Sequence, residues 1–432
     1  MTPPRAVAIT GLGVLGSVGI GREAFWSALL SGESGVRPVS RFDASALPSR
    51  VAGEVPDFRP RDHIKQRKAL KVMARDIQLA AAAAAQAIDD AGLQPDDLDP
   101  ERFGVTLGAG LICSSLDELG ATVETALTDD GRIDMAAWGR DGMDRLFPLW
   151  LLKYLPNMLA SHITIFHDAQ GPSNSIITGE VAGTHAIGES FRAVARGDAD
   201  VMLAGSGESK VNPLSMARYC LLGLASTRYT DAPEWACRPF ETDRDGLVAA
   251  EGAGVVVLEE MEHARRRGAR VYAALTGYGA TCDTDAGLEV GPSGDRQPHA
   301  IRAALRDAGV EPGEIDHIHA QGLGTIAADA AEARALREVF NTGGDGVAIS
   351  AVKCLTGHQA AGAGGVAAVV AALSVSDGAI PGHVNYERPD PGCGLESIVT
   401  ATIRRPVRRV LVNTFSLVGQ NAALVLEAVG DR

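Results

Sequence analysis

The sequence predicts an α/β protein assembled from two similar halves, each a five-stranded unit of alternating strands and helices. Three observations carry that expectation. Short β-branched and aliphatic runs alternate with helix-length apolar stretches. Glycine, 50 of 432 residues, far exceeds its usual share of about 7% and stands at the ends of those runs, as tight strand-to-helix turns require. The runs also divide five and five about the charged stretch Glu259-Glu260-Met261-Glu262-His263-Ala264-Arg265-Arg266-Arg267. The expected halves are 1–260 and 261–432, with no Pro- or Ser-rich linker between them, so they should pack as one body.

In chain order, the strand candidates of the first half are 6–10, 104–107, 175–178, 200–204 and 254–258. Their continuous apolar character suits strands buried on both faces, and helices between them imply parallel crossovers. The helix candidate 76–91 opens on Asp76 as N-cap and closes at Gly92, a residue suited to the left-handed position after a helix. The second half offers 271–275, 317–319, 347–350, 410–413 and 422–426. Residues 360–375 are uncharged and rich in Ala and Gly. They are shorter and less apolar than the roughly 20 residues of a membrane span, and are expected to be a buried helix. In each half a strand runs into a small turn that starts a helix: Thr178-Gly179-Glu180 and Lys353-Cys354-Leu355-Thr356-Gly357-His358. Two helix N-termini are therefore expected to face one another across a pseudo-dyad.

Composition excludes several classes of function. Apolar residues make up 46% and charged ones 22%, enough to build a sizeable core. Lys plus Arg is 40 against 54 for Asp plus Glu, a net charge of −14, the wrong sign for neutralising a phosphate backbone; no nucleic-acid partner and no membrane association are expected. The cysteines, Cys113, Cys220, Cys237, Cys282, Cys354 and Cys393, form no C-x-x-C pair, and the N-terminus has no charged-then-apolar leader, so a cytoplasmic setting is expected. Histidines such as His162, His167 and His185 lack ligand spacing; neither metal nor cofactor is expected. Gly11-Leu12-Gly13-Val14-Leu15-Gly16 fits a dinucleotide fingerprint, but Ser17-Val18-Gly19-Ile20-Gly21 delays the helix and no acidic residue closes a second strand about 20 residues on. A turn leading into a loop is the expected reading. The basic run Arg59, Arg61, Lys65, Arg67, Lys68, Lys71 and Arg75 is either a surface for an acidic partner or a solvated helix face.

The segment Gly171-Pro172-Ser173-Asn174-Ser175-Ile176-Ile177-Thr178-Gly179-Glu180 resembles the nucleophile segment of the β-ketoacyl-acyl carrier protein synthases, the condensing enzymes of fatty-acid and polyketide synthesis. The resemblance continues through Ala8-Ile9-Thr10-Gly11-Leu12-Gly13, Leu155-Pro156-Asn157-Met158, Arg238-Pro239-Phe240 and Asp243-Arg244-Asp245-Gly246. Gly322-Leu323-Gly324-Thr325, Asp329 to Glu332, Lys353 with Thr356-Gly357-His358, and Asn413-Thr414-Phe415 to Gly419-Gln420-Asn421 come next in family order. It spans essentially the whole chain and implies the thiolase-like fold, two pseudo-duplicated five-stranded βα halves.

The same resemblance implies that the catalytic positions have changed. The nucleophilic cysteine, which holds the acyl chain as a thioester at a helix N-terminus, falls at Glu180. A carboxylate would give a mixed anhydride, too reactive to store an acyl group. The first active-site histidine falls at Gln321, which cannot titrate near neutrality. The second is kept as His358, and Lys353 is kept. The gating phenylalanine falls at Leu417, and a glutamate many members carry falls at Ala367. Loss of nucleophile and first histidine together is similar to the chain-length factor, the ketosynthase β subunit of type II polyketide synthases, which usually has Gln for the cysteine and pairs with a catalytic ketosynthase. The retained His358, and Glu180 itself, depart from that pattern.

The leading expectation is thus a non-catalytic subunit with no catalytic residue of its own. It would form a heterodimer with a catalytic ketosynthase, meet acyl carrier protein transiently, and line the elongation tunnel with Leu111, Ile112, Cys113 and Leu116. Two alternatives stand beside it: a malonyl-acyl carrier protein decarboxylase or other thioester-processing enzyme using Glu180, Gln321 and His358, and a homodimeric acyl carrier protein-binding scaffold. Glu180 is read either as an acid, base or malonyl mimic, or as a plug balanced by Lys353 or the helix N-terminus, the plug being favoured. His358 is read as a satisfied inherited histidine in preference to a residual base, and Lys353 as a buried counter-ion.

Overall fold

A computed structural model describes residues 4–94, 97–284, 293–340 and 347–430. Among the described residues one sheet has eleven strands, ten of which form its path: β1 (Val7–Gly16), β2 (Phe103–Gly108), β3 (Ser173–Ile176), β4 (Val201–Ser209), β5 (Glu251–Glu260), β6 (Ala273–Cys282), β7 (His317–His319), β8 (Ala348–Ser350), β9 (Arg409–Phe415) and β10 (Gln420–Glu427); the two-residue strand Gly19–Ile20 pairs with the end of β1. Each expected run falls in one of them, with 175–178 displaced toward the N-terminus and 271–275 toward the C-terminus. Their spatial order is β8-β7-β9-β10-β6-β1-β5-β4-β2-β3. Outward from the centre, the first half runs β1-β5-β4-β2-β3 and the second β6-β10-β9-β7-β8, the same path. β1 and β6 pair from Val7↔Leu275 to Ile9↔Ala273 and join the halves.

The all-parallel expectation is corrected. Only β2–β3, β2–β4, β7–β8 and β7–β9 are parallel; the other pairs along the path are antiparallel. The link between β9 and β10 gives one reason: residues 416–419 can only reverse the chain, whereas a parallel crossover needs about a dozen residues.

Five helices frame the site: α1 (Arg75–Ala91), α2 (Ala182–Arg196), α3 (Gln297–Ala308), α4 (Ile326–Val339) and α5 (Ala363–Asp377). Gly92 takes the left-handed conformation after α1 as expected, but the N-cap is Ala74. Asp76 lies inside the first turn and accepts the Ser209 N–H at 3.1 Å. The glycines of the apparent dinucleotide fingerprint lie within β1 and form no turn. They let α1 press onto the sheet: a Cβ at Gly11 would lie 2.2 Å from Ala87 O and one at Gly13 1.9 Å from Ala83 O. The second half repeats the device, with Gly277 at 2.3 Å from Ala304 O and Gly279 at 2.2 Å from Ala300 O of α3.

The apolar run 360–375 forms a short turn and then α5, buried from Ala363 to Val375. By length and composition the stretch Ala360–Asp377 could cross a membrane, yet 89% of it is covered by the rest of the protein. The N-terminal turns of α2 and α5 meet, as expected: a Cβ on Gly364 would lie 2.5 Å from Thr184 N, and one on Gly183 2.8 Å from Gly365 N. Only glycine permits that approach. It brings the turn holding Glu180 toward the one holding His358.

Candidate functional site

Glu180 sits in the single turn Gly179–Val181 that leads from β3 into α2. Its carboxylate accepts the Leu417 N–H at 3.3 Å. Burial pushes the carboxyl up from its usual range and the Glu208 charge adds to this; the backbone N–H groups of Glu180 and Leu417, and the Lys210 ammonium, oppose it. Lys353 is not its direct partner. The Lys353 ammonium donates to the carbonyl oxygen of Gln321 at 2.7 Å and to its side-chain Oε1 at 2.9 Å. The charges of Glu332, Asp329 and Glu180 reach Lys353 through space, while its direct partner is Gln321.

Gln321 itself is fully engaged. Its Nε2 donates to Phe415 O at 2.9 Å and its N–H to Glu332 at 2.7 Å. An ammonium can only donate and a carbonyl only accept, so Lys353 and Phe415 fix the amide orientation. The loop after β7 needs left-handed turns at Gly322 (φ 50) and Gly324 (φ 83). Two carboxylates from the first two turns of α4 tie it down: Glu332 accepts the Gly322 N–H at 2.8 Å, and Asp329 accepts those of Leu323 and Gly324 at 3.0 Å each. Asn413 Nδ2 reaches Glu332 at 2.7 Å and Arg244 Nε lies 3.3 Å from Asp329. Burial lifts the Asp329 carboxyl to about 6 against the pull of Arg244. Sequence reasoning gives Asp329 and Glu332 no role of their own; acidic residues opening a helix after a glycine loop are the available signal.

His358 comes just after the turn Lys353–Thr356 and its backbone pairs with Val248 and Ala250. The ring is 1% exposed, and neither ring nitrogen has a partner among the described residues. It is therefore not a satisfied histidine, and that expectation is corrected: the charges facing it are ammonium groups, and Lys353 is already committed to Gln321. Burial, then Lys353 and Lys210, hold it well below its ordinary value, so the ring is neutral. His319, at the end of β7, is likewise buried with both ring nitrogens unpartnered, and no sequence motif singles it out. Leu417 is buried, and it is its backbone N–H that meets Glu180. Ala367 is buried within α5.

The four tunnel candidates separate. Cys113 and Leu116 line a recess of about 510 Å³, together with Asp76, Tyr154, Ser209 and Leu214. Leu111 and Ile112 do not line it. Ile112 packs into the core with Leu107, Ala109 and Leu159. Leu111 points to solvent while its carbonyl accepts from Lys210 Nζ at 3.2 Å. Lys210 forms a buried ion pair with Glu208, and Glu208 accepts the Ala361 N–H at 2.6 Å. Sequence reasoning misses that pair, which forms at the end of β4, Glu208 within the strand and Lys210 just beyond it. Of the basic run, Arg59, Arg61, Lys65, Arg67, Lys68 and Lys71 are exposed on broken turns, while Arg75 bonds buried Glu251 at 2.8 Å. Among the described residues no cluster of His, Cys, Asp and Glu could hold a metal.

Family models describe this architecture. The beta-ketoacyl synthase N-terminal domain matches residues 4–264 and the C-terminal domain residues 272–387. A 3-oxoacyl-[acyl-carrier-protein] synthase 2 of Coxiella burnetii is 35% identical over 427 residues, covering 99% of both chains. One from Synechocystis is 34% identical over 423 residues, covering 98% of both. Among solved structures, the ishigamide ketosynthase/chain length factor superposes with a TM-score of 0.86 at 32% identity, covering 99% of this chain and 100% of that one. A type II polyketide synthase ketosynthase in complex with its acyl-carrier protein, bound to the hexaketide, gives 0.83 at 30% identity with the same coverage.

Proposed function

The chain belongs to the β-ketoacyl synthase family, and on that premise we propose that it is a non-catalytic, chain-length-factor-type subunit that pairs with a cysteine-bearing ketosynthase of type II polyketide synthesis. One observation carries the reading. Where α2 begins, the group offered to an incoming acyl chain is a carboxylate held by the Leu417 N–H, and a carboxylate cannot store acyl groups as a thiolate does. The second departure reinforces the first: Gln321 spends its amide on Lys353 and Phe415 and has no proton to exchange near neutrality. The open edge of the sheet supports pairing with a similar fold. Among the described residues β3 has one neighbour, β2, and the apolar side chains of Leu111, Ile165 and Ile177 are exposed.

Co-expression with the cysteine-bearing ketosynthase of the same organism tests the reading. It predicts a stable heterodimer that elongates malonyl units, with the acyl chain on the partner. His358, buried beside Lys353 with both ring nitrogens unpartnered, favours a second reading, a malonyl-acyl carrier protein decarboxylase. Turnover by the isolated chain, abolished in Glu180→Gln, would establish it. A monodisperse homodimer that ignores every ketosynthase would leave the scaffold reading.

A further inference from the structure

We infer that Glu180 acts as a latch, fastening the 416–419 loop over the turn that opens α2 and so keeping the space around His358 closed to solutes. The latch works whether or not the chain pairs with a ketosynthase. Four residues, Ser416 to Gly419, join β9 to β10, and three of their four backbone N–H groups are spent inside that reversal. The Ser416 N–H donates to Gln420 O at 2.7 Å, that of Gly419 to Ser416 O at 3.2 Å, and that of Val418 to the Ser416 hydroxyl at 3.2 Å. The fourth, on Leu417, leaves the loop and goes to Glu180 Oε2 at 3.3 Å. The two backbones lie close here: a Cβ on Gly179 would stand 3.5 Å from Ser416 Cβ.

The loop sends one apolar side chain in and one out. Leu417 is buried in a cluster with Val211, Met216, Tyr219 and Phe415, while Val418 is 63% exposed. A single buried leucine is a light anchor for a reversal whose tip stands in water, and a carboxylate accepting its N–H adds a charge-assisted hydrogen bond to hold it. Other cations leave Glu180 free for that task. Lys353 donates to Gln321, and Lys210 is paired with Glu208 and bonded to Leu111 O. On its other side the Gly179–Val181 turn packs against the turn 360–362, just past His358. There the His358 ring nitrogens and Gln359 Nε2 have no partner among the described residues. The imidazole is neutral, so it is a nucleophile that lacks only access to an electrophile.

The test follows the full chain by amide hydrogen exchange at Leu417 and by the rate at which diethylpyrocarbonate modifies His358, located by mass spectrometry. Both should be slow in wild type. Glu180→Ala removes the acceptor, and both should quicken by about tenfold, the worth of one hydrogen bond to a charged group, while buried His317 and His383 stay as unreactive as before. Glu180→Gln keeps an oxygen that can accept the N–H and should lie nearer to wild type. If Glu180→Ala does not fold, Glu180→Asp takes its place. Its carboxylate is drawn back by one methylene from an N–H already 3.3 Å away, and both rates should again rise. Leu417 exchange unchanged in a folded Ala or Asp variant overturns the latch, and so does faster exchange with His358 no more reactive. A rise in reactivity shared by His317 and His383 overturns it too, since it reports loosening of the whole fold.

Discussion

At Glu180 the chemistry turns on one atom, oxygen where a condensing enzyme needs sulfur. Replacing it is not enough. Glu180→Cys should remain at background for malonyl-dependent elongation, measured by product mass spectrometry, because Gln321 stays bound to Lys353 and Phe415. Robust elongation by that single variant would contradict the account. The buried carboxyl also has a stability signature. Its value in the folded state is raised, so ionisation is penalised by folding; the penalty begins to shrink as pH falls to the folded value and is gone below the unfolded one. Glu180→Gln should raise the melting temperature at pH 7, with a gain that shrinks on acidification. The histidines act in the opposite direction. His358 is held well below its ordinary value, and burial lowers His383 to about 4. The unfolded chain therefore takes up protons below about pH 6.5 that the folded one refuses, and each such group costs about 1.4 kcal/mol per pH unit. His358→Gln should flatten the loss of unfolding free energy between about pH 6 and 5 by close to one proton. The family resemblance makes the positions of Glu180, Gln321 and His358 legible. It cannot say who holds Lys353, because that contact joins residues whose side chains meet only once β7 and the Lys353 turn are packed.

Among the elements, the strands are the most legible part, since continuous apolar runs mark buried strands whatever their direction. Direction is not legible from composition, although only the four residues 416–419 join β9 to β10. Glycine misleads for a related reason. A glycine required by a left-handed turn and one required by a helix lying close above look alike in sequence, so those of β1 read as a turn. The packing account makes a paired prediction. Gly13→Ala would set a methyl 1.9 Å from Ala83 O, and Gly279→Ala one 2.2 Å from Ala300 O. Each should destabilise by about 3 kcal/mol in denaturant unfolding, while Gly120→Ala, with open space around it, should be nearly neutral.

For the whole molecule, the repeated strand path and the repeated glycine device describe one unit used twice. We propose that the halves divide at residues 260 and 261, where β5 ends. The composition already points away from nucleic acid, but it cannot reveal that, among the described residues, β3 ends the sheet at one edge. Ser175 turns its N–H to the Asn174 side chain, so Ser175→Pro should leave the isolated chain folded, as edge positions tolerate proline, yet abolish association with a ketosynthase in size-exclusion chromatography. The central claim is that acyl groups reside on a companion's sulfur. Intact-protein mass spectrometry after incubation with acyl- and malonyl-carrier protein examines it most directly, with this chain alone and then in complex with the ketosynthase. The account predicts acyl mass on the companion alone; an acyl adduct at Glu180 of the isolated chain, lengthening with time, would contradict it.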